Sequence, residues 1–417
     1  MGPEHTALLA VAVLAVAFVV TDGPLFDLFA YPGDYEDGRL YGLLTFVLAA
    51  TTLGLIAVTS SMSIGLFVGT VLLIGYGSFA ETLTQQRTNA EGIHAGAFSI
   101  VGASVAIVGT AVSKSLGNVG IDLPVIVFLA VSGALLAAIL RDVLIQYDDP
   151  VVMLVVGLLL WLLSALEPTL GMTEIVVALG ITVAIGYVSY ALGAASIAGM
   201  LTGILLGLLT IVLGGYNWFA ILIAFFGIGS LSTKFRYDQK ASRGIAEEND
   251  GARGSANVLS NAAVALVAVL GYAASSSGLL AAEYADVFLF AFAGSLATAL
   301  SDTLSSEIGG IFDDPILITS FERVEPGTDG GVTWQGELAG IAGALVVALL
   351  AVVLFDSVGV VGGTVIVAAG FVGMTVDSLL GATLEGHLLG NQGVNFLATL
   401  SGALVCALVV LSMATFG

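Results

Sequence analysis

The sequence predicts an all-α fold: a polytopic bundle of about 12–14 membrane-spanning helices, some of them broken or re-entrant. Three observations predict it. Of the 417 residues, 58% are hydrophobic and only 10% are charged. The mean hydropathy is +1.07. Apolar stretches recur, each near the roughly 20 residues that a helix needs to cross a bilayer. A helix also satisfies every backbone polar group without water, which the bilayer core does not supply.

Spans are predicted at 6–21, 41–59, 62–80, 94–113, 123–141, 150–166, 173–191, 195–213, 216–231, 256–275, 286–301, 337–355, 359–379 and 394–415. The closely spaced segments after 150 and after 195 are those expected to be broken or re-entrant. The first stretch opens Gly2-Pro3-Glu4-His5 rather than with the Lys and Arg of a secretory signal, so it is read as a retained span. Residues 21–39, with Asp22, Asp27, Asp34, Glu36 and Asp37, read as a solvated acidic loop, and the link from Glu81 to His94 as an interfacial one. Between Arg141 and Pro150 the chain has cap and turn chemistry, with Asp149 at the N-cap and Pro150 at the first helical position.

The formal charge of -21, from 31 acidic against 10 basic residues, excludes a nucleic-acid partner and predicts acidic exposed loops. Such loops suit a halophilic, high-salt cytoplasm, where screening weakens self-repulsion. Cys406, inside the last apolar segment, is the single cysteine, which excludes an intrachain disulfide and a thiolate metal site.

Two parts are predicted. Residues 1–190 form an N-terminal membrane domain with short loops and no assigned chemistry. Residues 191–417 carry longer loops and three polar clusters, at 232–261, 301–336 and 377–395. Cytoplasmic loops collect Lys and Arg, and Lys234, Arg236, Lys240, Arg243 and Arg253 fall in one loop, which is therefore placed inside the cell. Two spans further on, and two more after that, the chain returns to the same face. All three clusters are thus expected to meet at the cytoplasmic end of the bundle.

If the first cluster is helical, Arg236, Lys240 and Arg243 fall at i, i+4 and i+7 and form one basic stripe. Such a stripe suits phosphate, or it anchors the topology. Asn249-Asp-Gly251 reads as a turn, and Asn257 and Asn261 follow, one helical turn apart. In the second cluster Asp302 and Glu307 lie about 140° apart on a continuous helix. Sharing a cation requires the helix to end near Ser306, so that both carboxylates reach one Mg²⁺. Gly327, Thr328, Gly330 and Gly331 read as a tight turn, or as a backbone nest for phosphate. In the third cluster Gly373, Asp377, Gly381 and Glu385 line one stripe, and a buried Asp there requires a cation or a donor. Asn391, Gly393 and Asn395 complete the mouth of the last span.

Together these motifs resemble the family of membrane proteins that includes transmembrane protein 19 and the phytyl-phosphate kinase of the tocopherol pathway. The resemblance covers about residues 195–417. It rests on Phe225-Phe-Gly-Ile-Gly-Ser-Leu-Ser-Thr233-Lys234, Lys240, Gly251-Ala-Arg253-Gly254, Ser301-Asp302-Thr303, and Ser306-Glu307-Ile-Gly309. It continues through Val324-Glu-Pro-Gly327-Thr328-Asp-Gly330-Gly331, Asp377-Ser378-Leu-Leu-Gly381-Ala-Thr383, Asn391 and Val394-Asn395-Phe396. The chain departs from the pattern at Asn257 and Ser260, ahead of Asn261, and at Glu385, where a Gln is expected.

The resemblance implies a kinase that converts a phytyl, geranylgeranyl or polyprenyl monophosphate to the diphosphate, using CTP or another nucleoside triphosphate. Lys234, Lys240, Arg236, Arg243 and Arg253 are then expected to hold phosphates. Asp302, Glu307 and Asp377 are expected to bind Mg²⁺, and Asn257, Asn261, Asn391 and Asn395 to orient nucleotide or lipid phosphate. The other readings are a CTP-dependent lipid-phosphate cytidylyltransferase and, from another class, an ion-coupled transporter. A transporter often carries inverted repeats, and none is evident between the halves.

Overall fold

The computed structural model describes residues 15, 17–30, 34–143, 149–168, 171–246 and 251–416. Ten of the sixteen residues of the span predicted at 6–21 lie outside these residues, as do Asn249 and Asp250 of the predicted turn. The helices in chain order are α1 (Pro24–Phe29), α2 (Asp34–Asp37), α3 (Tyr41–Thr59), α4 (Ile64–Gln85), α5 (Glu91–Leu116), α6 (Leu123–Val143), α7 (Asp149–Ala165) and α8 (Met172–Ala191). They continue with α9 (Ile197–Gly214), α10 (Tyr216–Lys234), α11 (Tyr237–Ser242), α12 (Ser255–Ser276), α13 (Ala285–Gly309), α14 (Trp334–Leu354), α15 (Gly359–Leu384) and α16 (Asn391–Phe416). Twelve of the described helices are long and apolar enough to cross a membrane, and α7 is a shorter apolar helix.

Each span predicted from residue 41 onward coincides with one of these helices. Those expected to be broken are single helices: α9 runs without interruption to Gly215, whose φ of 94° turns the chain into α10. Side-chain caps fix several starts, since Ser63 accepts from the backbone N–H of Leu66, Ser196 from Gly199 and Thr333 from Gly336.

The chain separates into two compact units, Met1–Ile175 and Val176–Gly417. In the first, α4 and α5 approach closely because glycines remove side chains between them. A Cβ at Gly102 would lie 2.9 Å from the carbonyl oxygen of Leu73, and one at Gly77 would meet the Phe98 ring. At one end of this unit Arg141 on α6 pairs with Glu81 of α4 at 2.9 Å and with Asp149 of α7. Ser78 bonds both, accepting from Arg141 at 2.9 Å and donating to Asp149 at 3.2 Å.

The second unit is built around α13, whose most apolar stretch is 78% buried, against 28% for that of α16. It packs against α10, α12, α14, α15 and α16. Its neighbour α14 presents Gly336, Gly340 and Gly343 on one face, and Cβ atoms there would stand 2.8–2.9 Å from the carbonyl oxygens of Ser305, Ser301 and Leu300. Backbone lies on backbone along this seam, as small residues allow in a membrane bundle. On α15, Gly373 leaves room for Thr298, which also fills the space at Gly402 of α16. Trp218 of α10 stacks among Tyr272, Phe292 and Phe355 and fills the interior of the unit.

Between α13 and α14 the chain forms a hairpin, β1 (Ile316–Leu317) with β2 (Gly331–Val332), antiparallel with Ile316 opposite Val332. The sequence suggested a tight turn or a phosphate nest here, and no strand pair.

Candidate functional site

The three polar clusters meet at one end of the second unit. α10, α13 and α15 finish there, while α12, α14 and α16 begin there, and side chains from the intervening loops touch. Gln239 and Arg243 of the first loop bond residues 310–313 of the second. A Cβ at Gly330 of the second would overlap Ala382 and lie 2.6 Å from the Ser378 carbonyl oxygen, in the last turns of α15.

Asp302, half-buried near the end of α13, lies within hydrogen-bonding reach of Asp377 of α15 and of Ser306 one turn on. Neither Asp302 nor Asp377 forms a salt bridge among the described residues. Oδ2 of Asp377 is buried with no hydrogen-bond partner among the described residues. Glu385, which caps the end of α15, is close enough for its charge to act on both. Two carboxylates in contact repel unless a proton or cation lies between them.

The expected break in α13 is absent. The helix continues to Gly309, so Asp302 and Glu307 diverge around it as the helical repeat requires. Glu307 turns to Lys240 of α11 and forms an ion pair with it. This corrects the expected metal set: Glu307 is neutralised by a lysine and does not face Asp302 and Asp377. Among the described residues no group of three or more His, Cys, Asp or Glu is placed to hold a metal. The pair Asp302 and Asp377 does fit a small, oxygen-seeking divalent ion whose other ligands come from phosphate or water, because neither acid has a basic partner among the described residues and Oδ2 of Asp377 is bare.

The basic stripe is also reassigned. Arg236, at a left-handed φ of 48°, stands before α11 rather than within it and lies exposed over the Phe235 ring. Lys240 is 1% exposed, and its ammonium donates to the carbonyls of Thr233 at 2.6 Å and Ser232 at 3.3 Å as well as to Glu307. All three protons of the ammonium are thereby engaged within the protein. Arg243 donates to the carbonyls of Gly310 and Phe312, at 3.4 Å each, and pairs with Asp313 at 2.9 Å. With Gln239, which donates to Ile311 O at 3.3 Å, Arg243 holds the turn that follows α13, at a helix end where a cation is favoured.

Lys234 remains exposed at the end of α10, held by Leu192 O at 2.5 Å. Arg253 is buried, with its guanidinium over Phe225 and against Gly229, and its backbone ties the start of α12 to that of α9 through Ala194 and Ser196. α12 begins at Gly254 with no side-chain cap. Asn261 donates to Asn257 O at 3.0 Å inside that helix. Asn391 is exposed and Asn395 half-buried at the start of α16.

The stretch read as a tight turn or a phosphate nest forms a turn. The N–H of Thr328 bonds Glu325 O at 3.2 Å and that of Gly331 bonds Thr328 O at 2.8 Å, so the two are spent within the turn. Sequence reasoning missed Gln239, read Ser306 as a helix end rather than a neighbour of Asp302, and read Arg141, Glu81 and Asp149 only as loop and cap residues. Pairings across helices leave no local pattern. Outside the spans, burial and then the charge of Asp329 hold the Glu385 carboxyl above its ordinary range.

Comparison with known proteins follows this division of the chain. The family model for the integral membrane proteins DUF92 matches residues 180–403. An uncharacterized membrane protein of Methanocaldococcus jannaschii is 33% identical over 218 residues, 51% of this chain and 84% of its own length. An uncharacterized membrane protein of Synechocystis is 33% identical over 197 residues, 46% of this chain and 73% of its own. The chloroplastic protein VTE6 of Arabidopsis thaliana is 30% identical over 219 residues, 51% of this chain and 65% of its own. No solved structure matches the chain. With a bundle of apolar helices and a family match over more than half of its length, the chain belongs to the integral membrane protein family DUF92.

Proposed function

We propose that the chain is a membrane-embedded kinase for an isoprenoid monophosphate, transferring a phosphoryl group from CTP or another nucleoside triphosphate at the cytoplasmic face. The observation that carries this reading is the contact of Asp302 with Asp377 at the end of the spans, without a basic partner among the described residues. Similarity to VTE6 and the resemblance to a family that includes a phytyl-phosphate kinase support the same reaction class.

Phosphoryl transfer asks a protein mainly to position phosphates and neutralise charge. Exposed Lys234 and Arg236 supply positive charge at the end of the unit where α12 also starts, uncapped by any side chain, a terminus that favours anions. Asn391 and Asn395 offer amide groups from α16. Asp302 and Asp377 would hold Mg²⁺, which screens the phosphoryl oxygens in transfer. An oxygen of the lipid monophosphate bonds to the γ-phosphorus, the bond to the β–γ bridging oxygen breaks, and a nucleoside diphosphate departs. That oxygen is already anionic near neutral pH, so the site needs no strong general base. The lipid tail would lie among the helices in the bilayer.

The test is a product assay on the full chain in nanodiscs, with Mg²⁺, a panel of isoprenyl monophosphates and each of the four nucleoside triphosphates. An isoprenyl diphosphate is expected. A CDP-lipid product would establish a cytidylyltransferase instead, and substrate flux without nucleotide would establish a transporter.

A further inference from the structure

The pair Lys240–Glu307 lies outside the contact between Asp302 and Asp377, yet its Glu307 stands on the same helix as Asp302, five residues on. Lys240 is 1% exposed and is gripped by Ser232 O, Thr233 O and Glu307. Since α13 is continuous through Gly309, turning Glu307 toward α11 fixes the direction of every side chain on its last two turns. Residues five apart differ by about 140°, so the face opposite α11 is the one that carries Asp302 to α15.

We propose that Lys240 and Glu307 are positioning residues: their ion pair locks the rotation of the end of α13 so that Asp302 faces Asp377. The inference rests on the reading of Asp302 and Asp377 as the working pair, though its geometry stands without it. Three features support a lock rather than a general brace. First, the ammonium is tied at both ends, to the last turn of α10 and to α13, so it sets an angle between the two. Second, both members are shielded from water, with 2% and 11% of their side chains exposed, so neither exchanges its partner for solvent. Third, the pair cancels a charge that otherwise adds to the repulsion within the acidic cluster, since Glu307 lies close enough to act on Asp302.

The experiment reads the facing of residues 302 and 377 directly. In the full chain carrying Cys406→Ala, Asp302→Cys and Asp377→Cys, a short bifunctional thiol reagent bridges α13 and α15. Neither nucleotide nor lipid phosphate is needed, so the result is independent of whether the chain is a kinase. Bridging is expected in this background and expected to fall several-fold on adding Glu307→Gln or Lys240→Met. Glu307→Asp, which keeps the charge, should restore part of it. Arg243→Gln removes a cap bond of the same strap away from the register position, and should lower the unfolding temperature while leaving the bridging yield unchanged.

Where a single neutralisation prevents folding, the double variant Lys240→Met with Glu307→Leu removes both charges together and serves instead. Its bridging should also be several-fold reduced. Unchanged bridging in a folded Glu307→Gln, Lys240→Met or double variant overturns the proposal. So does an equal loss with Arg243→Gln, which marks the pair as an ordinary brace. A chain that bridges as expected but yields no isoprenyl diphosphate leaves the lock standing and removes only the kinase reading.

Discussion

Asp302 of α13 touches Asp377 of α15 at the end of the membrane spans, while Glu307, five residues beyond Asp302, turns away to an ion pair with Lys240. One helix thus carries two carboxylates with opposite fates: one is neutralised by the fold and one is left to meet another acid.

Removing a charge from that contact should cost function and gain stability. Asp377→Asn relieves like-charge repulsion in a site shielded from water, and we expect an unfolding free energy higher by about 1–2 kcal/mol in the absence of divalent cations. Adding Mg²⁺ or Mn²⁺ should raise the unfolding temperature of the natural sequence, since a ligand that binds only the folded state stabilises it, and should leave the variant unmoved. Thermal unfolding with and without the cation checks both. In the kinase assay the variant should lose at least about a hundredfold in rate, the scale of a lost electrostatic contact at a transition state.

Glu307→Gln leaves the Lys240 ammonium buried with only carbonyl partners. Breaking one side of a buried pair typically costs about 3–5 kcal/mol, whereas replacing both members by apolar residues is nearer neutral. Lys240→Met with Glu307→Leu should therefore unfold closer to the natural sequence than Glu307→Gln does. Denaturation in mild detergent followed by tryptophan fluorescence separates the two.

The ion-pair network of the first unit follows the same rule. Arg141→Met strips Asp149, 6% exposed, of its guanidinium partner, and a cost of about 3–5 kcal/mol is expected. Adding Asp149→Asn should recover a good part of it, and the unfolding temperatures of the single and double variants check the coupling.

Gly330 has φ of 76° and sits where a Cβ would press on Ala382 and Ser378. Gly330→Ala combines left-handed strain with overpacking and should cost about 1–3 kcal/mol in the seating of the hairpin. Faster limited proteolysis within residues 310–333 is the expected readout.

Glu385 provides a pH signature. Its carboxyl is held above the ordinary value of 4.5, first by burial and then by Asp329. A carboxyl raised in the folded state favours folding most while protonated, so its contribution is lost as pH rises from about that value through the folded one. Asp329→Asn should flatten this loss and leave the variant relatively more stable on the alkaline side, as measured by unfolding temperature across pH without divalent cations.

By itself the sequence determined the membrane bundle, every described span from residue 41 onward, and the convergence of three polar clusters at one end. Apolar length and helical periodicity are local properties, and alternation of spans follows from counting them. Asp302 and Asp377 were legible as unusual because carboxylates at the end of apolar helices are costly wherever the chain goes. The tertiary structure alone decided which charges are consumed. The stripe of Arg236, Lys240 and Arg243 reads as an anion site in one dimension, but Glu307 and the Gly310 carbonyl arrive from some 67 residues away and occupy Lys240 and Arg243. Likewise Asp302 and Glu307 read as partners by nearness in sequence, and helix continuity separates them. Charge pairing depends on which side chains meet across helices, and that information is set by packing between glycine faces, not by any one stretch of chain.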